Sequence, residues 1–221
     1  MTSIHRSLYR AQAKPGLEAT AAAALRDKAA AFPLGTARGE LMTLALFQLG
    51  RELIVYWESV GDVLAPESIF GDQAASLEQW PGAEHPRRFV PMLDIFHCQT
   101  PAGVEHWRRK SPIERVSGRL ARLNPEWASS YIFYHYQLQE ERPGSFDKVG
   151  LIGLHEHLIF FYQEFPFVVE TPAVPGKLTT ANTPDHWHDV MFPHFHRWED
   201  TPPDHAIWRP MELLIHRGLD V

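Results

Sequence analysis

Residues 89–97 read FVPMLDIFH, and residues 208–216 read WRPMELLIH. The two segments share Pro-Met and a closing His at an offset of 119 residues. A second pair lies upstream, where residues 52–58 read ELIVYWE and residues 157–163 read HLIFFYQ at an offset of 105. The difference of 14 residues predicts an insertion in the second half, within the Pro-, Gly- and Thr-rich stretch at 171–183. The chain therefore contains an internal repeat, which has to be recognised before its elements are assigned.

Each half predicts the same order of elements. In the first half the pattern predicts strands at 7–13, 41–49, 52–59 and 92–97 and helices at 17–31 and 72–79. In the second half it predicts strands at 116–123, 149–155, 158–164 and 211–216 and helices at 127–140 and 184–197. A Pro stands before the first helix of each half, where its missing N–H does no harm. Strand, helix, two strands, helix, strand is the ferredoxin-like order.

A single unit of this kind has helices on one face of its sheet and leaves the other face apolar and uncovered. Two units in one chain can cover each other, so the sequence predicts an α+β protein of two tandem ferredoxin-like (βαββαβ) repeats, packed sheet to sheet as an intrachain dimeric α/β barrel. The predicted boundaries are 1–99 for repeat 1, 100–112 for a polar, basic linker and 113–221 for repeat 2. The alternative is one larger sandwich in which the repeat is a coincidence.

Composition restricts the function. The 21 Lys and Arg against 27 Asp and Glu give a net charge of −6, which argues against a nucleic-acid binder. Cys98 is the only cysteine, so an intrachain disulfide and a multi-cysteine zinc site are excluded. No run of 18 apolar residues predicts a membrane span, and the start of the sequence lacks the apolar core of a signal peptide. We expect a cytoplasmic protein without nucleic-acid or membrane partners.

Both halves resemble the tetracenomycin-type aromatic polyketide cyclases. The first half carries KPG at 14–16 before an Ala-rich helix, FPL at 32–34 and the hairpin at 46–58, and the second half carries AIWRPM at 206–211 before its last strand. The resemblance implies paired ferredoxin-like units, a cofactor-free lyase of antibiotic biosynthesis and secondary metabolism, and a polyketide substrate, free or bound to an acyl carrier protein. Members of the family are usually one unit long, whereas this chain is two.

The second half also resembles the L-rhamnose mutarotases. The similarity lies in Asn124-Pro125 followed by Tyr131 and His135, and in Trp187 with Met191 before the last strand. In that family the helical His and Tyr line the sugar pocket. The resemblance therefore implies a pocket in the second half without choosing its substrate, because a fold does not fix a function.

Histidines supply the candidate catalytic groups. The chain has 13, of which nine follow residue 113. His135 lies four residues after Tyr131 on one helical face, either as a general base near neutral pH or as a core histidine bonded to a backbone carbonyl. His155 and His157 flank a hairpin turn, either facing a site or simply exposed. The corresponding stretch of the first half has no histidine, so a site is expected in repeat 2.

A second group of histidines raises the question of a metal. His186, His188, His194 and His196 form two His-x-His pairs, whose imidazoles can bind zinc, nickel or ferrous iron. On a helix, however, the two members of such a pair point in different directions. The spacing matches no specific metal signature, so we expect no metal and no cofactor.

The first hypothesis is an aromatic polyketide cyclase. A poly-β-ketone has methylene protons acidic enough for histidine to remove, the enolate attacks a carbonyl, and loss of water gives an aromatic ring. His135 or His155 is the expected base, Tyr131 and Arg209 are the expected hydrogen-bond donors, and His157, Trp187, His188 and Trp208 are expected to contact the substrate. The alternatives are a cofactor-free monooxygenase, a sugar mutarotase and a non-enzymatic carrier or assembly protein. The oligomeric state stays open, with a homo-oligomer as one alternative.

Overall fold

Two antiparallel sheets carry the described part of the chain, residues 2–73, 75–82 and 84–219 of a computed structural model. The strands, in chain order, are β1 (Ile4–Gln12), β2 (Leu41–Leu49), β3 (Glu52–Val60), β4 (Val90–Pro91), β5 (Leu93–His97), β6 (Arg115–Leu123), β7 (Leu151–His155), β8 (Leu158–Phe165), β9 (Phe195–His196), β10 (Arg209–Pro210) and β11 (Glu212–Gly218). The helices are α1 (Glu18–Ala31), α2 (Pro66–Phe70), α3 (Val104–Trp107), α4 (Ala128–Glu141) and α5 (Trp187–Met191), with 3-10 turns at Pro125–Trp127, Phe192–His194 and Pro203–His205. The predicted α+β class is confirmed. None of the described helices combines the length and hydrophobicity needed to cross a membrane.

The elements form two units. Unit 1 consists of Met1–Met92, Pro101–Pro112 and Glu212–Val221, and its sheet has the order β11-β2-β3-β1-β4. Unit 2 consists of Leu93–Thr100 and Ile113–Met211, and its sheet has the order β10-β6-β8-β7-β5, with β9 also paired to β6. Within each sheet four consecutive strands, β2-β3-β1-β4 in unit 1 and β7-β8-β6-β10 in unit 2, follow the ferredoxin-like order of the predicted repeat.

The closing strands differ from the prediction. The strands expected at 92–97 and 211–216 are present as β5 and β11, but a short additional strand, β4 or β10, precedes each of them, so the closing segment of each half is split in two. The short strands β4 and β10 pair with β1 and β6, whereas the longer β5 and β11 pair with β7 and β2 at the opposite edges of the sheets. Pro91 and Pro210 have no N–H to donate to a ladder, which favours a break at this point. The units are therefore discontinuous in sequence and differ from the ranges of the predicted repeats.

The second helices are also shorter than predicted. The described residues of 72–79 are not helical, and the helix lies earlier, as α2 (Pro66–Phe70). Gly71 directly follows α2 with a φ of 69°, which is unfavourable for residues other than glycine, so the helix ends there. In unit 2 only α5 and a following 3-10 turn are helical within 184–197. Pro193 lies inside that turn and cannot donate an N–H to continue an α-helix.

The two hairpins align with a shift of one residue from the sequence comparison. In the first hairpin Leu49 pairs with Glu52, and in the second His155 pairs with Leu158, so equivalent residues are 106 apart rather than 105. The residue after the first strand has a φ of 58° in both turns, a Gly in one and Glu156 in the other. Because side chains alternate along a strand, an error of one residue exchanges the two faces.

The predicted linker is an integral part of unit 1. Trp107, at the end of α3, is fully buried, and its Nε1 donates to Oε1 of Glu58 at 2.8 Å. Arg109 donates to both oxygens of Glu58, at 2.7 and 2.9 Å, and the Tyr56 hydroxyl donates at 2.7 Å. Burial alone would raise the pKa of Glu58, but Arg109 and the other donors hold it below its ordinary value. The basic stretch thus supplies the counter-charge of a buried carboxylate.

Glu58→Gln is expected to destabilise the protein by about 3 to 5 kcal/mol, because it leaves the buried guanidinium of Arg109 without its counter-charge. Chemical denaturation followed by circular dichroism measures the loss. The matched control is Glu105→Gln, which removes an exposed pair with Arg108 and should cost less than about 1 kcal/mol. Equal losses in the two variants would contradict this account of the linker.

Candidate active site

A cavity of about 760 Å³ lies in unit 2. Its walls are formed by β6 and β8 of the sheet, by α4 and α5, and by the segment that follows β8. Most of its lining is aromatic or aliphatic, including Phe96, Phe161, Trp187, Phe195 and Trp208. This size and character suit a flat organic molecule, whose faces can stack on aromatic rings.

The helix α4 places an imidazole in this wall. His135 is 5% exposed, and its Nδ1 lies 2.9 Å from the carbonyl oxygen of Tyr131, one turn earlier. A carbonyl can only accept, so Nδ1 carries the proton and Nε2 of the neutral ring is left as an acceptor. The expected hydrogen bond to a backbone carbonyl is present and the other ring nitrogen is left available to a ligand, while the role of general base stays a prediction.

The surroundings keep this imidazole neutral. The ring centroid of His135 lies 4.0 Å from that of Tyr131, 5.0 Å from that of Trp187 and 5.4 Å from that of Phe96. Burial among these rings lowers the pKa of His135 to about 4, despite the backbone hydrogen bond. Burial also raises the pKa of the Tyr131 hydroxyl well above its ordinary value, so this hydroxyl keeps its proton. At neutral pH the pair offers one acceptor and one donor.

Arg119, which lines the cavity, has no oppositely charged partner among the described residues. Arg119 on β6 donates through Nη2 to Oε1 of Gln163, and its guanidinium carbon lies 5.1 Å from the ring centroid of Phe161 and 5.8 Å from that of Trp208. Its Nε is buried without a hydrogen-bond partner, and no described carboxylate forms an ion pair with it. Burial lowers the pKa of Arg119, and the nearby charge of Arg115 acts in the same direction. The protein thus leaves a guanidinium without a counter-ion beside aromatic rings.

Sequence reasoning missed Arg119. The signal was present, because Arg119 stands in phase with Ala121 and Leu123 along β6, and both of these are core residues. A charged residue on the buried face of a strand is unusual enough to indicate a site.

The inserted segment forms another wall. Thr183 is the last residue of the stretch at 171–183 that the repeat predicts as an insertion, and it lines the cavity together with Phe167, Val169 and Pro184, which flank that stretch. Glu141, the last residue of α4, anchors the end of this segment.

Glu141 accepts hydrogen bonds from three residues of the segment. The donors are the Thr180 hydroxyl at 2.5 Å, the Asn182 N–H at 3.0 Å, and the N–H and hydroxyl of Thr183 at 2.7 and 2.5 Å. Burial opposes ionisation, but these donors hold the pKa of Glu141 well below its usual range. The carboxylate therefore stays charged and fixes the segment to α4.

Five of the predicted site residues line the cavity together: Tyr131, His135, Trp187, His188 and Trp208. They come from α4, from α5 and from the stretch before β10, so their meeting depends on the fold and not on sequence proximity. Their common position is consistent with the predicted site on the face of α4 that carries Tyr131 and His135. The assignment of each residue to catalysis or substrate contact stays a prediction.

The other three predicted site residues lie outside the cavity lining. His155 ends β7 in register with Leu158, and His157 is exposed in the turn beyond it. Arg209 donates through Nη1 to the carboxylate of Asp200, at 3.1 and 3.2 Å. They are not part of the cavity lining, and the roles predicted for them stay predictions.

The two His-x-His pairs do not gather into one group. His194 is buried with both ring nitrogens engaged, one by the Ser130 hydroxyl and one by the Met191 carbonyl. His186 and His196 are exposed, and His188 alone of the four lines the cavity. Among the residues that the structure describes, no three His, Cys, Asp or Glu side chains are placed to hold a metal ion.

The equivalent region of unit 1 is filled by its own core. By the strand register, Tyr9 in β1 and Trp57 in β3 occupy the positions of Arg119 and Gln163. Their rings stack with centroids 5.1 Å apart and planes 4° apart. On α1, the fully buried Leu25 stands where α4 carries its histidine. The polar groups of the site therefore belong to unit 2, as the sequence predicts.

Comparison with known proteins adds one solved structure. No family model matches the chain, and no curated protein matches it. The chain is similar to the crystal structure of a putative monooxygenase from Fusobacterium nucleatum subsp. nucleatum ATCC 25586, at 10% sequence identity and a TM-score of 0.41. The similarity covers 99% of this chain and 97% of that chain.

The buried imidazole is expected to make stability depend on pH. The pKa of His135 is about 4 in the folded protein and near 6.5 when exposed, so between these values the unfolded chain binds the extra proton. Stability is therefore fully present above pH 6.5 and falls toward pH 4, by about 2 kcal/mol at pH 5. His135→Gln should lose about that much less between pH 7.5 and pH 5 in urea denaturation. His157→Gln, at the exposed turn, is the control, and parallel curves for His135→Gln and the wild type would refute the burial argument.

Loss of the anchor at Glu141 is expected to loosen the cavity wall. Glu141→Gln removes the charge that four hydrogen bonds share, so amide hydrogen exchange at 180–183 should become several-fold faster. Mass spectrometry of exchanged peptides measures the change. Glu126→Gln, exposed before the same helix, should leave exchange at 180–183 unchanged. Unchanged exchange in Glu141→Gln would show that the segment is held by other contacts.

Proposed function

We propose that unit 2 is the catalytic unit of an aromatic polyketide cyclase, which closes a ring in a poly-β-ketone or partly cyclised intermediate and removes water. The observation that carries the proposal is the guanidinium of Arg119 without a counter-ion, in the same aromatic cavity as the neutral imidazole of His135. A reaction that passes through an enolate needs a proton acceptor and a cation beside the oxygen that becomes negative.

The cavity favours the folded form of the substrate. A poly-β-ketone has many rotatable bonds, and ring closure needs two distant carbons of the chain to be in contact. Flat aromatic walls, here Trp187, Trp208 and Phe161, favour a planar arrangement of the chain and keep water from the reacting carbons. Binding in this arrangement meets in advance a large part of the conformational entropy cost of ring closure, which lowers the barrier of the reaction.

Proton removal is the first chemical step. Nε2 of His135 takes a proton from a methylene between two carbonyls, and the electron pair of that C–H bond moves into the enolate. Arg119 then donates to the enolate oxygen, which gives the guanidinium the anionic partner that the protein does not provide. Because the imidazolium forms beside an anion, part of its desolvation cost is offset when the substrate is bound.

Carbon–carbon bond formation follows. The enolate carbon attacks a second carbonyl carbon, and the oxygen of that carbonyl becomes an alkoxide. Tyr131 lines the same cavity, and its hydroxyl, which retains its proton, is the proposed donor to this oxygen. The imidazolium of His135 then returns its proton to the alkoxide, which becomes a hydroxyl. Nε2 next removes a second proton from the carbon that made the attack, and this proton passes to the leaving hydroxyl, so a C–H and a C–O bond break, water leaves and the double bond of the new ring forms.

The low pKa of His135 suits the second half of this sequence. An imidazole of pKa about 4 is a weak base, but its protonated form is a strong acid. The first step therefore depends on Arg119 to stabilise the enolate, whereas the last step gains from the acidity of the imidazolium. One side chain can serve in both steps only if it keeps the proton between them, which the dry surroundings favour.

The proposal predicts a large loss of ring closure in two variants. Arg119→Gln should lower kcat by about 100- to 1000-fold, because it removes the cation at the enolate. His135→Gln should lower it by about 100-fold or more, because glutamine cannot take up the proton. Formation of the aromatic ring is followed by its ultraviolet absorbance, with a synthetic poly-β-ketone as substrate and circular dichroism as the check of folding.

The controls lie on the same elements. Arg122→Gln changes another arginine of β6, which contacts Trp198 and does not line the cavity, and His157→Gln changes a histidine outside it. Both should retain the activity of the wild type. Full activity in Arg119→Gln and His135→Gln would refute the cyclase assignment. Consumption of oxygen with an anthrone substrate, without ring closure of a poly-β-ketone, would replace it by cofactor-free oxygenation.

A further inference from the structure

His135 and Arg119, two polar groups of the cavity, can bind two chemically different oxygens of one ligand. Nε2 of His135 can only accept, since Nδ1–H is fixed on the carbonyl of Tyr131. Arg119 can only donate, and its charge has no carboxylate partner among the described residues. A ligand that satisfies both must carry one hydroxyl that keeps its proton and one oxygen that is negative.

The walls restrict the rest of the ligand. Phe161 and Trp208 lie beside the Arg119 guanidinium, at 5.1 and 5.8 Å from its carbon, with their own centroids 5.8 Å apart. Trp187 packs edge-on against His135. A fused aromatic ring can lie against these faces with its oxygens directed to the two polar groups. A flexible ketone would lose more conformational entropy on binding than such a rigid ring.

From this we infer that the cavity selects polyhydroxylated aromatic molecules in their singly ionised phenolate form, with the negative oxygen at Arg119 and the remaining hydroxyl at Nε2 of His135. The inference rests on the proposed function and extends it, because such a phenolate has the chemistry of the ring-closed product. The ligand would then bind more tightly than the open ketone and inhibit the reaction that forms it.

None of the other ionisable residues that line the described cavity is a better partner than Arg119 for the negative oxygen of the ligand. Asp147 accepts from the backbone N–H groups of Glu164 and Val168. Arg142 and Asp185 lie 4.0 Å apart as an exposed pair, and His188 is exposed on α5. Cys98 and Tyr131 complete the ionisable lining, and the hydroxyl of Tyr131 retains its proton. Arg119 is the lining cation that has no described counter-ion.

Alizarin, a dihydroxyanthraquinone whose colour changes when its first hydroxyl ionises, tests the inference without any turnover. Absorbance titration from pH 4.5 to 8 should show bound alizarin ionising at a pH about one to three units lower than free alizarin. In Arg119→Gln the shift should vanish or reverse, because burial without the cation favours the neutral phenol. Hydroxymethylanthraquinone, whose hydroxyl does not ionise, should bind at least about tenfold more weakly than alizarin.

Matched variants separate the inference from the proposed function. Arg122→Gln should bind alizarin with the wild-type shift. Bound alizarin that stays neutral in the wild type, equal binding of the two anthraquinones, or no binding of either would overturn the inference even if ring closure is observed. A lowered ionisation point that depends on Arg119, in a protein that closes no ring, would uphold the inference and reject the cyclase.

Discussion

The antiparallel pairing of β6 with β8 sets the position of every polar group in the site. The register places Arg119 opposite Phe161 and Ser117 opposite Gln163, so the guanidinium can reach the amide on the next row of the same face. Along β6 the same face continues through Ala121 and Leu123 into the core beside α4. Arg119 therefore lies at the end of the apolar part of this face, and α4 supplies the imidazole of His135. A shift of the register by one residue would turn Arg119 away from this face.

The same frame gives a different interior in unit 1. Its hairpin has the register of the second one, and its helix has the same length of 14 residues, but the positions of the site carry Tyr9, Trp57 and Leu25. Stacked aromatic rings and a leucine occupy these positions, and none of them carries a charge. The buried charge of unit 1 lies elsewhere, at Glu58, and is fully compensated by Arg109. The contrast shows what distinguishes a structural charge from a candidate functional one: the fully buried Glu58 is paired, whereas the partly buried Arg119 has no counter-ion among the described residues.

The sequence allowed much of this to be predicted, and the failures have physical causes. The repeat and the two hairpins were readable because strands and turns leave strong local patterns. His135 and Tyr131 were found because a helix brings residues four apart together. The split of the closing strands was not predictable, because the choice between two sheet edges is made by long-range pairing.

The remaining errors follow from packing. Trp107 looked like part of a polar linker because its neighbours are basic, yet one of those neighbours is the counter-ion of a buried glutamate. His155 and Arg209 were chosen by type and by resemblance, which cannot show the direction of a side chain.

Leaving a cation without a counter-ion costs stability, and the arrangement of the site limits that cost. The faces of Phe161 and Trp208 attract a guanidinium, and Gln163 accepts one of its hydrogen bonds, but neither cancels its charge. A carboxylate at this place would stabilise the empty protein and would also compete with any anionic ligand. The neutral imidazole avoids this competition, because it adds no charge of either sign until a proton moves. An anion formed in the cavity therefore gains nearly the whole interaction with Arg119, which is the condition under which binding energy lowers a barrier instead of merely holding a substrate.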